Sequence, residues 1–589
     1  MISKCSTLSF IFILFYFSTS SQTIITGTVL DAKTKSPLEF ATVQYSDYDG
    51  VITNENGGFQ IKIDQTIKSL KVSYIGYETM EVPIDNLGKP LEILLPQNIT
   101  SMQEVVVNAQ DLWASNLLFK SVKKSRKEAK PRHQSKLFRR TYSYRENRPA
   151  EFMEAFYNAK IRDGGIDFFQ LKNGRFGIPN DSSFLNIDLT ELMKIHKLFT
   201  NEFNFLPASP LEYTSLRKLR KDFDVRIRNK YAVENDTIIE ISFEPLRKKD
   251  ILFEGKIWIK KSSLVIEKVT LDAKDTRRNP FKSVVDPINN KVAHLDFSLN
   301  IGFKYHDKKT VFDYIQIKDQ KTMVTPNETY QVNSNTKLVF YDYEKPFQTP
   351  FFSEFSENYH DYEKILFFPY DKEFWNRNFL IAETEDEQNF REELDEKQLF
   401  KNQNGETAML IERRFERWNK DWEIVPELVS EREIRPGHKL DEVIFINQEK
   451  APPRNNLSTK TFIFLDYECY PDTVIFKTEA VIDYRFTFTM YRNKIDFECL
   501  ENFLHLTKIH ADELQQKLEE NFSKNKICPD RNELEMILKE RNELLEDELK
   551  WYKVKVHTGL SERRKKNKKI EEAALEIQKR LEKVKTNAN

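Results

Sequence analysis

From Thr23 to Leu95 the apolar positions come in short alternating or continuous runs: "IITGTVLD", "ATVQYSD", "GVITNENGGFQIKID", "SLKVSYIGYETMEVPID" and "LEILLP". Gly, Asn, Asp and Pro separate them, and runs of four to eight residues punctuated in this way predict a small β-sandwich. Pro37 falls in a loop, where its fixed φ is tolerated. Asn54 to Gly58 predicts a hairpin turn, because Asn and Gly accept positive φ. Phe59 and Ile61 alternate with Gln60 and Lys62, which gives the next strand one buried face. In "VSYIGYET", residues 72–79, Gly76 stands at a bend between two strand runs with Tyr74 and Tyr77 on either side.

Further along, period-two runs return as "KLFRRTYSYRE", "AEFMEAFYNAKI", "FDVRIRNKYAV", "TIIEISFEP", "FEGKIWIKKSSLVIEKVTLDA", "AHLDFSLNIGFKY", "KTVFDYIQIKDQKTMV" and "NTKLVFYDYE". Phe253, Ile257 and Ile259 share one face, and Val269 and Leu271 repeat the alternation after a Ser-Ser turn. This is a hairpin within a large curved antiparallel sheet. Trp258 and Phe253 are core candidates. Asp111 to Glu128 is an amphipathic basic helix, "KPRHQSK" (130–136) a linker, and Asn186 to Thr200 a helix interrupting the strands. Strands recur at "DEVIFINQ", "KTFIFLDYECYPDTVIF" and "VIDYRFTFTMYR". Three helical stretches then follow. Leu500, Phe503, Leu504, Ala511, Leu514 and Leu518 line one; Leu534, Leu538, Leu545, Leu549 and Tyr552 the second; Ala574, Ile577, Leu581 and Val584 the third.

The predicted fold class is multidomain and mainly β. It comprises an N-terminal seven-stranded sandwich, a large antiparallel curved sheet, and an α+β C-terminal region ending in long helices. The expected segments are a signal peptide at 1–21, the sandwich at 22–98, a linker with a basic helix at 99–133, and a β-rich domain at 134–350. A polar connector at 351–406 and an α+β domain at 407–589 complete the chain. The expected leader rests on Lys4, the uncharged "LSFIFILFYF" (Leu8 to Phe17) and the small residues of "STSSQ". That run is too short for a bilayer span of about 20 apolar residues, so export to the periplasm, or to the periplasmic face of the outer membrane, is expected. After removal of the leader no transmembrane segment is expected.

Composition narrows the class. In 589 residues, Lys+Arg is 91 and Asp+Glu is 92, which gives no field directed at nucleic acid. The basic run "SERRKKNKK" (Ser561 to Lys569) reads as a solvated helix start balanced by the "EE" after it. With 39% hydrophobic residues, 45 Phe and 23 Tyr, the chain has material for substantial sheet cores. Beyond the leader, Cys469, Cys499 and Cys528 remain. One disulfide with a leftover thiol, or none, is compatible with three cysteines, and Cys469 with Cys499 is a possible pair. There is no CxxC spacing for a zinc-thiolate site. The acidic "SDYDGVITNEN" lacks the spacing and closing Glu of a calcium loop and reads as solvated turn residues. His294, His306 and His360 have no partners at ligand spacing.

Three resemblances follow from particular residues. "TGTVLDAKTKSPLEFATV…TNENGGFQI…LKVSYIGYET", through Gly27, Val29, Asp31, Pro37, Leu38, Ala41, Val43, Thr53, Asn54, Gly57, Phe59, Ser73, Tyr74, Gly76 and Tyr77, resembles the carboxypeptidase-regulatory-like domain. That resemblance implies a transthyretin-like, non-catalytic module of cell-envelope proteins. "SMQEVVVNAQ" (Ser101 to Gln110) follows it, as in outer-membrane transporters. A barrel needs many strands of about ten residues with aromatic girdles, and the charged helices beyond Gln110 do not supply them. Residues 253–273 are similar to LolA-like lipoprotein-sorting sheets, which implies a concave sheet for an acyl chain or peptide.

"LTKIHAD" (Leu506 to Asp512) and "YKVKVHTG" (Tyr552 to Gly559) resemble a metallopeptidase-like family. A zincin helix needs two His four residues apart and a Glu base. Leu506 occupies the first His position and Thr507 the Glu, so only His510 and Asp512 fit. His505, five residues from His510, lies about 140° away around the helix. No catalytic, cofactor-binding or metal residue is therefore assigned. The leading reading is an exported envelope protein acting in binding or assembly, with an envelope protein, lipid or peptide as partner and no cofactor. The alternatives are a divergent or inactive zinc metallopeptidase-like hydrolase, and a periplasmic lipid or lipoprotein carrier.

Overall fold

The computed structural model describes residues 23–400 and 461–583, apart from 99–106, 180–196, 201–205, 275–290, 352–363, 483–493, 558–567 and several shorter stretches, together with a two-residue pair, Met409–Leu410 and Leu428–Val429. The expected leader, most of the helix expected at 186–200, "DEVIFINQ", His360 and nearly all of "SERRKKNKK" lie outside the described residues. The chain forms two compact units. One comprises residues 1–100, 231–234 and 373–386, and the other comprises the rest.

The first unit is the predicted sandwich of seven strands: β1 (Thr23–Asp31), β2 (Thr42–Gln44), β3 (Gly50–Ile52), β4 (Gly58–Ile63), β5 (Ser69–Ser73), β6 (Met80–Pro83) and β7 (Leu91–Leu95). One sheet runs β4-β1-β7 and the other β3-β2-β5-β6. Alternation buries Val29 and Ile25 of β1, Phe59 and Ile61 of β4, Val43 of β2, Leu70 and Val72 of β5, and Ile93 and Leu95 of β7 in one core.

Asn54 to Gly58 is not a hairpin: it carries the chain from β3 in one sheet to β4 in the other. In the acidic run expected to be solvated, Ser46 and Asn56 are exposed, but Thr53 and Asn54 are buried. Asn54 Oδ1 accepts from the N–H groups of Asn56 and Gly58 at 3.0 and 2.8 Å, and its Nδ2 donates to the carbonyl oxygens of Ala382 and Glu383. The side chain thus replaces ladder bonds where the backbone changes sheets. Gly57 takes φ +70°, the conformation that requires glycine here. Gly76, at φ +87°, makes the turn between β5 and β6, with the Tyr74 and Tyr77 rings 5.4 Å apart.

The second unit is built on one ten-stranded antiparallel sheet, ordered β10-β9-β8-β17-β16-β15-β14-β13-β12-β11. The strands are β8 (His133–Arg145), β9 (Arg148–Arg162), β10 (Gly165–Gly177), β11 (Phe223–Val233), β12 (Asp236–Pro245), β13 (Glu254–Lys260), β14 (Val265–Ala273), β15 (Lys291–His306), β16 (Lys309–Val324) and β17 (Thr329–Tyr341). Strands β11 to β17 form one meander and β8 to β10 another, joined where β17 pairs with β8. The expected linker at 130–136 is strand from His133 onward. β10 has no strand signature in the sequence, because register shifts at Ile166/Phe168 and Leu171/Asn173 break its alternation, and Lys172 and Arg175 interrupt its apolar run.

The apolar face carries Ile257, Ile259, Val269, Leu271, Leu299, Ile301, Ile315, Ile317 and Leu338. Helix α1 (Val107–Glu128) lies in the same core through Ala114, Leu117, Leu118 and Val122, and Leu219 of α2 (Leu216–Asp222) joins it. Arg126 anchors α1 by donating to the carbonyl oxygens of Phe199, Leu211 and Tyr213. Trp258 is not a core residue: it sits on the opposite face, half-buried beneath Lys268, whose Nζ is 5.3 Å from the ring centre.

Helices α3 (Lys372–Arg377) and α4 (Glu385–Glu396) fall within the expected connector. After the short pair β18 (Met409–Leu410) and β19 (Leu428–Val429), the hairpin of β20 (Thr461–Cys469) and β21 (Val474–Ile482) buries both its faces. Phe462, Phe464 and Val481 join the core of the large sheet. Ile463, Leu465 and Tyr467 pack instead with α5 (Lys494–Leu518) and α6 (Arg531–His557) through Ala511, Leu514, Leu518, Leu534, Leu538 and Leu545. In the third helical stretch, at 572–580, Ala573 and Ile577 are the buried positions, so the apolar register is one residue off at Ala574. Cys469 pairs with Cys528, not with Cys499, at a Cα separation of 5.6 Å. The partner is Cys528 because the segment before α6 returns beside the end of β20, where Gln348 accepts from the Cys469 N–H.

Candidate functional site

A cavity of about 390 Å³ opens on the polar face of the large sheet, across β14, β15, β16, β17 and β8. The strand register builds it. Directly opposed residues form one row running Asp272, Ser298, Lys318, Asn335, Tyr142 across five strands. A second row, two residues along, runs Asp296, Gln320, Asn333, Tyr144. Because side chains alternate faces, both rows project from the face opposite the apolar core. With strands about 4.8 Å apart, the longer row spans roughly 19 Å. Its length suits an extended ligand.

The groove has one aromatic end. Tyr142 and Tyr144 meet edge to face at 4.6 Å, and Tyr142 is held from behind by Phe390 of α4 at 5.6 Å and Phe152 at 6.4 Å. Tyr142 is buried, while Tyr144 is half-exposed. At the other end, burial together with Glu254, directly across on β13, pushes the Asp272 carboxyl above its ordinary range.

Beside the aromatic end lies a buried ionic network. Glu154 receives Arg140 Nε at 2.7 Å and Arg175 Nε at 2.8 Å, while Arg140 and Lys337 reach Glu387 of α4 at 3.4 and 3.3 Å. Burial alone would raise Glu154; the guanidinium groups of Arg175 and Arg140 hold it below the usual range. The network ties α4 to β8 and β17 and, through Arg140, to Glu154 of β9 and Arg175 of β10, and so positions the Tyr142 wall of the groove.

The metallopeptidase candidates lie elsewhere, on α5. His510 is buried, its Nε2 is 2.7 Å from Glu548 Oε2 and its Nδ1 faces Arg541 at 3.3 Å. Glu548 in turn binds Arg580. Burial would raise Glu548, but His510 and Arg580 hold it down at about 2. Both ring nitrogens therefore face side chains of the fold. Thr507 bonds to the Phe503 carbonyl and to Thr461, Leu506 is fully buried, and Asp512 pairs with Lys508 at 3.1 Å. Among the described residues no group of three or more His, Cys, Asp and Glu could hold a metal ion. His294 sits 3.3 Å from Asp296 at the groove's edge, and His306 lies tilted against the Tyr343 ring, 5.1 Å between centres.

None of the groove residues was singled out from the sequence. Each is an ordinary polar residue on the solvent side of an alternating strand, and only the register aligns them. The discoverable signal was the polar half of the alternation in "LDFSLN", "IQIKDQ" and "VNSNTK".

Comparison with known proteins defines the class of the first unit. Residues 25–107 match the CarboxypepD_reg-like domain family, so the chain carries a CarboxypepD_reg-like domain, as its β-strand motifs imply. No curated protein matches the sequence. Among solved structures, similar ones are a LolA superfamily protein from Nitrosomonas europaea (10% identity, 38% of this chain and 96% of that one, TM-score 0.16) and a putative outer membrane lipoprotein-sorting protein domain from Vibrio parahaemolyticus (10%, 38% and 93%, 0.16). The MucA/MucB complex of Pseudomonas aeruginosa is a third (10%, 38% and 93%, 0.14). Among the described residues, no helix is long and apolar enough to cross a membrane.

Proposed function

We propose that this chain is an exported cell-envelope protein that binds a ligand or partner, without catalysis, on the polar face of its ten-stranded sheet. The observation that carries this reading is the groove: two opposed rows of polar side chains ending on a paired-tyrosine wall that a buried ionic network holds in place. Three features support the setting. The leader-like residues 1–21 point to export, and a CarboxypepD_reg-like domain fits an envelope protein. The Cys469–Cys528 pair belongs to an oxidising compartment. The hydrolase reading would need His510 free to bind metal, whereas His510 is engaged with Glu548 and Arg541. Lipid carriage would use the apolar face, which α1 fills with Leu117, Leu118 and Val122, and this favours the polar face.

Cell fractionation combined with thiol labelling tests the proposal. The expected result is protein in the periplasmic or outer-membrane fraction, with Cys469 and Cys528 protected from alkylation until reduced. Cytosolic protein with both thiols free would overturn it.

A further inference from the structure

We infer that the groove on the sheet face takes a hydroxyl-rich glycan chain. The inference rests on the binding role proposed above and adds its ligand class. Three features of the groove lead to it.

The first is chemical type. Asp272, Asp296, Ser298, Gln320, Asn333 and Asn335 are acceptors or amide and hydroxyl groups that both donate and accept, with Lys318 as a further donor. Such a set matches vicinal hydroxyls, each of which is donor and acceptor at once. Three lining aspartates, Asp272, Asp296 and Asp319, against Lys274 and Lys318 leave no cationic excess to select an anionic ligand, and the carbon surface between the polar groups suits the C–H faces of sugar rings.

The second is placement. The groove crosses the strands on the face of the sheet, where main-chain N–H and C=O groups are already paired between neighbours. An extended peptide gains its affinity by adding a strand at an edge, through main-chain bonds that this surface does not offer. A ligand here is read by side chains alone, at the strand spacing of about 4.8 Å and over roughly 19 Å. That favours a chain bearing polar groups along its length.

The third is the aromatic end. Half-exposed Tyr144, braced edge to face by buried Tyr142, offers an apolar ring face with a hydroxyl at its tip. The C–H face of a sugar ring packs on such a surface while its hydroxyls reach Asn333, the residue opposed to Tyr144 on β17.

Isothermal titration of the purified full chain with two probes, the β-1,4-linked tetramers of N-acetylglucosamine and of glucose, tests this, with tetraglycine as the peptide comparison. At least one saccharide is expected to bind, Tyr144→Ala and Asn333→Ala are each expected to weaken binding about tenfold or more, equivalent to about 1.4 kcal/mol, and tetraglycine is expected to give no heat. Circular dichroism shows that the variants are folded. Saccharide binding that both folded variants retain would overturn the assignment to this groove, and heat from neither saccharide would overturn the ligand class. Heat from tetraglycine alone would overturn the glycan while leaving the binding role standing. The fate of the envelope reading is decided separately, by fractionation.

Discussion

Asp31 shows how one side chain can hold a loop. Its carboxylate accepts from the N–H groups of Thr34 and Lys33 at 2.7 and 2.8 Å and from the Tyr77 hydroxyl at 2.8 Å, and also binds Gln97. The Thr34 N–H is the largest favourable influence; against the opposing effect of burial, these bonds hold the carboxyl well below its usual range. A depressed folded value means stability that is present above the unfolded value of about 3.9 and is lost as pH falls through the folded one. Asp31→Asn is therefore expected to destabilise the sandwich by about 1–3 kcal/mol at neutral pH. The gap from wild type should shrink as pH falls below about 4. Urea titrations of both proteins at pH 7 and pH 3 would check this; an equal gap at the two values would count against it. His510 is a second lesson at this scale. The sequence placed it in a half-matching zinc motif, but nothing in the linear text near it announces Glu548 or Arg541, which α6 brings from about thirty to forty residues away.

At the scale of elements, two devices join parts of the second unit that are distant in sequence. The ionic network clamps α4 to the sheet. Replacing Arg140 by Met leaves Glu154 and Glu387 with one cation fewer in a buried setting, at an expected cost of about 3–5 kcal/mol. Glu387→Leu, which also takes the carboxylate from Lys337, should when combined with Arg140→Met cost less than the sum of the two single losses, as a denaturation double-mutant cycle would measure; strictly additive losses would contradict the coupling. The Cys469–Cys528 bridge closes 59 residues of sequence between β20 and the start of α6. Cys528→Ser is expected to cost about 2–4 kcal/mol under oxidising conditions and little under reducing ones, as followed by thermal melting with and without reductant. The strands were legible wherever the alternation ran without a shift of period: β11 and β16 have the bounds their alternation predicts. β10 was not, because its bulges shift the period midway along it, and a period-two pattern cannot survive a register shift.

For the whole molecule, the two units differ in how far local pattern describes them. The sandwich was readable almost strand by strand, since each of its turns carries Gly, Asn, Asp or Pro and each strand needs only one buried face. In the second unit, β8 to β10 close onto β17, the last strand of a meander that begins almost eighty residues after β8 ends. The hairpin β20–β21 comes still later in sequence and contributes Phe462 and Phe464 to the same core. The groove exists only because β8 lies beside β17 in that order, bringing Tyr142 and Tyr144 opposite Asn335 and Asn333.

By itself the sequence determined the β-rich class, the CarboxypepD_reg-like domain, most of the strands and the absence of a complete zincin motif around His510. All of these follow from local periodicity, turn chemistry or residue spacing, which are properties of neighbouring residues. Only the tertiary structure decided the partner of Cys469, the burial of Asn54, the exclusion of Trp258 from the core and the rows of polar residues that form the groove. Those depend on which strands pair and in what register. Pairing is settled by long-range burial of apolar faces, and a polar residue on the solvent side of a strand carries no mark of the neighbour it will meet.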